Sequence, residues 1–470
     1  MADLHDLSAL EQADAVRRRE VSAVDLVEHC ATRLERLDDG LGAFVTRTLD
    51  TAREQARGAD AAVAAGEDLP PLHGVPTAVK DLNVTAGVRT SFGSTVYADF
   101  VPAVSDVTVT RLRAAGTISL GKTSTPEFGL PCYTETALGP PARNPWDTSL
   151  SPGGSSGGAA AAVAAGLVPF AQGSDGGGSI RIPASVCGLV GLKPARGRIS
   201  AGPLVGDITG LPTNGALTRT VADAAAVLDA LAGPSPGDPH WAPPPARPFL
   251  EEVGRDPGRL RVGRYCTPVV PGAEVHPHVL EAWESASALL EELGHEVVDV
   301  DPPFGPEAMP LFEVLWSVSS CGMPVDPARE HELQPLTRWL RERGRETPAP
   351  RFTGAMAALQ AGTRRAVTAT AHCDAVLVPT LAQPPAPVGW FREAGDPRAE
   401  FDRMAAWTPF TAVYNSTGQP AISLPLHWSP DGLPIGVMLV GRPADEATLL
   451  RLSAQLEQAR PWRDRHPACW

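Results

Sequence analysis

Long apolar runs are missing from this 470-residue chain. No stretch reaches the roughly 18 consecutive apolar residues that a transmembrane helix needs, so we expect no membrane partner. The opening residues, MADLHDLSALEQ, carry acidic side chains from the third position and no apolar segment of the kind found in secretory signals. These two absences predict a cytoplasmic protein.

Excess positive charge and clustered metal ligands are missing as well. The formal net charge is −14, which disfavours nucleic acid as a partner because a phosphate backbone attracts basic surfaces. The seven cysteines include no CxxC pair, and the eleven histidines include no HExxH motif. We therefore expect reduced thiols, no metal site and no cofactor.

Lysine is nearly absent. Only Lys80, Lys122 and Lys193 occur among 40 basic residues, so arginine supplies almost all of the positive charge. Arginine does not lose its proton in a protein, whereas lysine does when its surroundings disfavour the charge. Each of the three lysines is therefore a candidate for chemistry that needs a titratable amine.

What the sequence does contain is an alternation of helical and strand-like segments. Residues 1–66 have apolar side chains at helical spacing, whereas VPTAVK (75–80) and TISLG (117–121) are typical of strands. We expect an α/β fold in which a mixed central β-sheet is covered by helices on both faces. No internal repeat or clear linker interrupts the chain, which predicts one domain over residues 1–470 with a variable, mostly helical region at about 303–410. Further strands are predicted at 168–172, 260–265, 295–301, 374–381, 420–426 and 432–441.

Two loops rich in glycine and serine, GGSSGG (153–158) and GSDGGGS (173–179), are separated by one predicted helix and one predicted strand. That path out and back can return Ser155 close to Ser179. A serine hydroxyl needs a neighbouring base to become a nucleophile, and neither loop contains a histidine. The available base is Lys80, at the end of a buried-looking strand where burial lowers the pKa of an amine.

One other motif, GTISLGKT (116–123), fits the pattern of a phosphate-binding P-loop. Its interior is strand-like, although a P-loop needs flexible residues whose N–H groups curl around phosphate. We expect instead a buried strand ending at Gly121, with Lys122 in a structural bond. A nucleotide-binding function is the least favoured alternative.

Five segments of the chain, spread from about residue 4 to 460, resemble the amidase signature family. Within that family, LKPARGRISAGPLV and NSTGQPAISLP resemble in particular the 6-aminohexanoate cyclic dimer (nylon-oligomer) hydrolases and related bacterial amidases. The resemblance implies a signature core at about residues 70–210. The five segments are PLHGVPTAVKDL, LGKTSTPEFG, NPWDTSLSPGGSSGG, GSDGGGSIRIPASVCGLVGLKP and GQPAISLPL…GLPIGVMLVG.

The resemblance implies a Ser–cis-Ser–Lys triad. Ser179 would be the nucleophile, Ser155 the bridging serine on a cis peptide, and Lys80 the base. The implied activity is hydrolysis of linear or cyclic amide C–N bonds through an acyl-enzyme, extending to anilides and to carbamates (urethanes) or esters. The expected partner is a small-molecule amide or carbamate, and a homodimer is left open.

The glycines before Ser179 suit this chemistry because negative charge develops on the carbonyl oxygen and needs hydrogen-bond donors. Without side chains in the way, the N–H groups of Gly176, Gly177, Gly178 and Ser179 can point at the oxygen of an attacked carbonyl and form an oxyanion hole. The family often has a larger residue at 176, so we expect glycine there to give a slightly wider hole.

Three neighbouring side chains are expected to support this turn. Asp175 and Arg181 flank it and are expected to pair, although Arg181 has the alternative of a surface charge. Ser156 either hydrogen-bonds within the triad or caps the following helix, and the sequence leaves both open.

Substrate-lining positions are expected just after TPEFG and in the 310–410 region. The candidates are Gly129, Leu130, Cys132, Tyr133 and Cys321, and the sequence does not separate pocket from core among Trp316, Trp339, Trp390 and Trp407.

The chain has few obvious basic residues for a substrate pocket. This scarcity favours neutral, partly apolar acyl groups over glutamine. Two further alternatives remain, which are the glutaminase-type subunit of a tRNA amidotransferase and a non-catalytic scaffold.

Overall fold

A large mixed β-sheet forms the centre of the computed structural model, which describes residues 3–204 and 208–470. The strands along the chain are β1 (Phe44–Arg47), β2 (Pro76–Lys80), β3 (Ile118–Thr123), β4 (Phe170–Asp175), β5 (Val190–Lys193), β6 (Thr213–Thr218), β7 (Arg261–Arg264), β8 (Glu296–Asp299), β9 (Ala375–Pro379), β10 (Ala421–Trp428) and β11 (Pro434–Gly441).

Eight of these strands build the central sheet in the order β4-β6-β5-β10-β11-β9-β7-β8. Strand β7 pairs in parallel with β8 and β9, and the other pairs of this sheet are antiparallel. Strands β1, β3 and β2 form a second, three-stranded sheet. The Thr77 hydroxyl of β2 donates to the Phe170 carbonyl of β4 at 3.1 Å, which holds the small sheet beside the edge of the large one.

Helices accompany the strands along the whole chain. The α-helices are α1 (Ala9–Arg17), α2 (Ala23–Leu41), α3 (Leu49–Ala65), α4 (Val107–Ala114), α5 (Gly157–Ala164), α6 (Arg181–Cys187), α7 (Val221–Leu231), α8 (Pro277–Glu292), α9 (Ala308–Ser320), α10 (Pro335–Glu346), α11 (Ala349–Ala369), α12 (Pro397–Trp407), α13 (Thr411–Thr417) and α14 (Glu446–Ala459). Short 3₁₀ turns lie at Thr95–Tyr97, Glu127–Gly129, Phe249–Glu252, Pro327–Glu332 and Arg392–Ala394. None of the helices in the described ranges is long and apolar enough to cross a bilayer.

Helix α5 shows how the sequence positions the site. Its residues GGAAAAVA are all buried and small, so the helix packs closely between neighbouring elements without needing an exposed polar face. A side chain at Gly158 would collide with the backbone of Ser124 and Ala43, so glycine there allows the close approach. The loop that carries Ser155 is thereby fixed deep in the molecule.

The α/β fold with a mixed sheet and covering helices is confirmed. Three local predictions were wrong. Residues 44–47 form β1 rather than helix, residues 173–175 continue β4 rather than begin the loop, and β3 extends past Gly121 to Thr123. In each case backbone pairing with a distant strand decided the conformation, which local propensity does not report. Residues 205–207, inside the predicted signature core, lie outside the described residues.

Candidate active site

Lys80 is the last residue of β2. Its side chain is fully buried, and its amine points at Ser155. Lys80 Nζ donates to Ser155 Oγ at 2.8 Å and to Ser174 Oγ at 3.1 Å, and it lies 3.4 Å from the Ser174 carbonyl oxygen. The Gly154–Ser155 peptide is cis, as the resemblance implies. The amine is thus surrounded by neutral hydroxyl and carbonyl oxygens.

These surroundings decide the protonation of the amine. Burial lowers the pKa of Lys80 to about 7, and the negative charge of Asp175 opposes that change only in part. At neutral pH a large share of the Lys80 amines is therefore uncharged and able to accept a proton. Gln172 Oε1 accepts the Lys80 backbone N–H at 3.0 Å and fixes the end of the strand.

Ser179 lies in the turn between β4 and α6, largely buried and on the wall of a cavity. The Ser156 N–H donates to the Ser179 carbonyl oxygen at 3.2 Å, so the two serine loops meet as the spacing predicts. Among the described residues no side-chain hydrogen bond joins Ser179 to Ser155. The structure therefore brings Lys80 and Ser155 into direct contact and places Ser179 in the adjoining loop.

The glycine turn differs from its prediction at one position. The Gly178 N–H donates to Asp175 Oδ1 at 2.8 Å, so it is already used inside the turn and does not face an oxyanion. Gly178 also has a φ of 135°, a conformation that side chains disfavour. The N–H groups of Gly176, Gly177 and Ser179 have no hydrogen-bond partner within the described ranges, which leaves three donors rather than four.

Asp175 and Arg181 form a fully buried ion pair beneath the turn. Arg181 Nη2 and Nε donate to the two Asp175 carboxylate oxygens at 2.9 and 3.0 Å, so the surface-charge alternative for Arg181 is wrong. Burial alone would raise the pKa of Asp175, but the adjacent guanidinium holds it well below its usual value. The charged carboxylate in turn accepts the N–H groups of Gly178 and Ile180, which fixes the shape of the turn.

Ser156 bonds to β4 rather than capping a helix. Its hydroxyl donates to the Ser174 carbonyl oxygen at 3.1 Å and accepts the Ser174 N–H at 3.3 Å, and it makes no cap hydrogen bond to α5. The helix-cap alternative for Ser156 is therefore wrong, and its hydroxyl bonds to the backbone of Ser174 rather than to a member of the proposed triad.

A cavity that is partly open to solvent lies beside Ser179. Leu130 and Cys132 lie on its wall as predicted, and none of the described residues that line it is charged. The remaining wall is mostly apolar and comes from distant parts of the chain, including Ile182, Val269, Phe304, Phe312, Trp316, Leu359, Phe401 and Met404.

Three of the predicted pocket positions do not line this cavity. A Cβ at Gly129 would lie 3.2 Å from Ser155 Oγ, so Gly129 adjoins the proposed relay rather than the cavity. Tyr133 is buried in the core, where its hydroxyl donates to Glu400 and its ring stacks on Phe391. Cys321 packs against α10, with its thiol 3.4 Å from the Arg341 carbonyl oxygen.

Of the four tryptophans considered, Trp316 alone lines the cavity. Trp339 packs on Phe401, Trp390 on Phe391, and Trp407 donates its indole N–H to the Pro384 carbonyl oxygen at 3.0 Å. Sequence spacing does not separate these cases because all four lie among apolar neighbours.

Sequence reasoning missed several residues that hold the site. Ser174 was visible inside GSDGGGS, but only the fold shows that both of its oxygens face Lys80. Asn415 donates to Asp175 Oδ1 at 2.9 Å, and the Thr411 hydroxyl donates to the Gly177 carbonyl oxygen at 2.7 Å. Both lie on α13, more than two hundred residues away along the chain, and no local pattern marks them.

The other two lysines are also buried but face different groups. Lys122 Nζ donates to the Asn83 carbonyl oxygen and lies 3.8 Å from Asp81 Oδ1. Lys193 Nζ donates to the Pro194 carbonyl oxygen at 2.9 Å. This geometry fits the predicted structural role of Lys122 on a buried strand. It does not fit the lysine of a P-loop. Across residues 3–204 and 208–470 no group of three or more His, Cys, Asp or Glu side chains is placed to hold a metal ion.

Comparison with known proteins places this geometry in context. The family model described as Amidase matches residues 25–450. A putative amidase of Mycobacterium tuberculosis is 39% identical over 469 residues, covering 99% of each protein. One component of the glutamyl-tRNA(Gln) amidotransferase of Moorella thermoacetica is 38% identical over 494 residues, also covering 99% of each. The solved structure of 6-aminohexanoate cyclic dimer hydrolase complexed with substrate superposes with a TM-score of 0.92 and 33% identity, covering 100% of both chains.

Proposed function

The chain belongs to the amidase family and is an amide-hydrolysing enzyme, and we propose that it works through an acyl-enzyme formed on Ser179. The observation that carries this proposal is the 2.8 Å contact between a fully buried lysine amine and the Ser155 hydroxyl. A buried amine whose pKa is about 7 suits a general base that acts near neutral pH.

In the first half-reaction Ser179 attacks the substrate carbonyl carbon. Its hydroxyl proton passes to Ser155, which gives its own proton to the neutral amine of Lys80. The charge that develops on the carbonyl oxygen is stabilised by backbone N–H groups of Gly176, Gly177 and Ser179. When the C–N bond breaks, the proton returns along the same path to the leaving amine.

The second half-reaction repeats these roles with water. Lys80 and Ser155 remove a proton from a water molecule, which attacks the ester carbonyl of the acyl-enzyme. The tetrahedral intermediate collapses, the carboxylic acid leaves, and Ser179 recovers its proton. The same pair of groups therefore serves both half-reactions. In each one it first acts as base and then as acid.

The cavity wall supports neutral, partly apolar substrates. Amides and anilides fit this chemistry, and carbamates (urethanes) or esters fit because they pass through the same acyl-enzyme. The glutaminase alternative has one supporting observation, the 38% identity to the amidotransferase component. Free glutamine carries a carboxylate and an ammonium that need charged or strongly polar partners, and the described wall offers no charged side chain.

The direct test is labelling and turnover by a Ser179→Ala variant. A fluorophosphonate should label Ser179 in the wild type, and both labelling and hydrolysis of a neutral p-nitroanilide should vanish in the variant while the fold is retained. Ser287→Ala, which removes a buried hydroxyl of α8 that donates to the Trp283 carbonyl oxygen and does not line the cavity, is the matched control and should keep both. Turnover by Ser179→Ala within tenfold of the wild type would remove Ser179 as nucleophile, and rapid ammonia release from glutamine would favour the amidotransferase alternative.

A further inference from the structure

Two aromatic side chains of α9 stand over the glycine turn. The rings of Phe312 and Trp316 stack with centroids 5.3 Å apart and an interplanar angle of 21°. Both rings line the cavity together with Gly177 and Ser179. The cavity that Ser179 borders therefore has a stacked aromatic pair as part of its wall.

Gly176 lies beside this aromatic pair and has no side chain that would press against it. A Cβ at position 176 would lie 3.3 Å from Trp316 Cη2 and 3.4 Å from Cζ3, closer than side chains normally approach. The indole thus lies against the place of a side chain at 176, and an alanine there would require a shift of a few tenths of an ångström. The expectation of a slightly wider oxyanion hole stays a prediction, and the missing side chain at 176 also makes room for Trp316.

We propose that Trp316, seated in the space left by Gly176, is a specificity-determining residue that selects substrates with a flat aromatic acyl group. This inference rests on the proposed acyl-enzyme at Ser179. An aromatic ring placed on the indole gains stacking energy in addition to the burial of its apolar area. A short aliphatic acyl group gains neither.

The cavity is assigned to the acyl side because of the order of the two half-reactions. The leaving amine must depart before water enters, whereas the acyl group stays bonded to Ser179 through both steps. A bonded apolar group needs a place that is shielded from solvent during deacylation. Of the described cavities, the one lined by Trp316 is the one that Ser179 borders.

The test compares two sulfonyl fluorides that differ in one ring. Phenylmethanesulfonyl fluoride and methanesulfonyl fluoride both react when the Ser179 oxygen attacks sulfur, the S–F bond breaks, fluoride leaves and the hydroxyl proton passes to Lys80 through Ser155. Because fluoride is very small, the group on sulfur stands in for the acyl group. The measured quantity is the ratio of the two second-order inactivation rates.

The ratio should favour the phenyl reagent in the wild type and fall about two- to tenfold in Trp316→Ala, the range expected for loss of one aromatic contact. Trp316→Phe should retain part of the preference. Trp390→Phe changes a tryptophan outside the cavity and should leave the ratio unchanged.

A double-mutant cycle tests the pairing of Gly176 with Trp316. Gly176→Ala pushes its Cβ against the indole and should lower the phenyl preference, and Trp316→Phe in the same chain removes Cη2 and Cζ3 and should restore it to the level of Trp316→Phe alone. Gly177→Ala is the matched comparison in the same turn. Its Cβ would lie at ordinary distances of 3.5 Å from Phe312 and 3.9 Å from Trp316, so its effect should not be rescued by Trp316→Phe.

The outcomes separate this inference from the mechanism on which it rests. If neither reagent modifies Ser179, the proposed nucleophile itself fails. If both reagents modify Ser179 but the ratio is the same in the wild type, Trp316→Ala and Trp390→Phe, the nucleophile stands and the role of Trp316 is wrong. Purely additive effects of Gly176→Ala and Trp316→Phe would overturn the pairing.

Discussion

Lys80 and Lys122 lie on neighbouring strands of the same small sheet and are both buried. Their amines nevertheless contact different groups. The Lys80 amine meets the neutral oxygens of Ser155 and Ser174. The Lys122 amine meets the Asn83 carbonyl oxygen and the hydroxyl of Thr90, with the carboxyl group of Asp81 nearby.

The pKa values of the two amines follow from this difference. Burial lowers the pKa of Lys80 to about 7 and that of Lys122 to about 8, where Asp81 and Asp106 oppose the change. Only the first amine contacts a hydroxyl that leads to the cavity loop. Burial therefore favours the neutral form of both amines, but of the two only Lys80 donates to Ser155, whose loop adjoins that of Ser179.

The largest expected difference between the two regions comes from removing the Lys80 amine. Lys80→Arg and Lys80→Ala should both lose on the order of a hundred- to ten-thousand-fold in kcat, because arginine cannot accept the proton. Stopped or continuous assay of a p-nitroanilide measures the loss, with circular dichroism as the check on folding. An active Lys80→Arg enzyme would mean that Lys80 is a structural cation like Lys122.

Removing the Lys122 amine should damage stability rather than chemistry. Lys122→Met leaves Asp81 buried without its nearby cation, which costs about 3–5 kcal/mol of unfolding free energy for a broken buried pair. Denaturant titration measures the cost, and kcat of the folded fraction should remain close to the wild type.

A second change provides the control for Lys122. Asp81→Asn in the same chain removes the uncompensated charge and should recover part of the lost stability. If Lys122→Met instead lost kcat while keeping its stability, the distinction between the two lysines would fail.

The Ser155 relay should matter less than the base it serves. Ser155→Ala removes the hydroxyl between Lys80 and the Ser179 loop, and water entering the gap can carry some protons, so we expect a loss of about a hundredfold, toward the lower end for proton-transfer groups. Comparison of kcat for Ser155→Ala and Lys80→Ala under the same conditions measures the difference. Full activity of Ser155→Ala would remove it from the proton path.

The smallest effect, and the most discriminating, is the pH dependence of kcat/KM. The reactive form of Lys80 is the neutral amine, so the rate should fall about tenfold per unit below its pKa of about 7 and level off above it. Lys122→Met should therefore leave the midpoint unchanged, and a shift in that variant would contradict the assignment.

Much of the site was predictable because its residues are unusual for this chain. Three lysines among forty basic residues marked the amines, and consecutive glycines before Ser179 marked a turn with unobstructed backbone N–H groups. The resemblance carried by these motifs implied the cis peptide at Ser155, which local propensity alone disfavours. Signals of this kind survive in the sequence because no other residue type meets the same requirement.

The site predictions that failed concern what a residue faces. Tyr133 and Cys321 lie near pocket positions in sequence but turn into the core and toward α10. The Gly178 N–H was predicted to be free, but the Asp175 carboxylate takes it. Direction and partner depend on packing between elements, and spacing along one element does not contain them.

The sequence by itself determined the fold class, the family resemblance and the small set of groups able to act, because these depend on residue type and local order. Only the tertiary structure decided which further groups face the Lys80 amine, which N–H groups stay open and which tryptophan lines the cavity. The reason is physical: the pKa of an amine and the wall of a cavity are set by atoms within a few ångströms, and here those atoms come from β2, β4, α9 and α13, which are far apart along the chain.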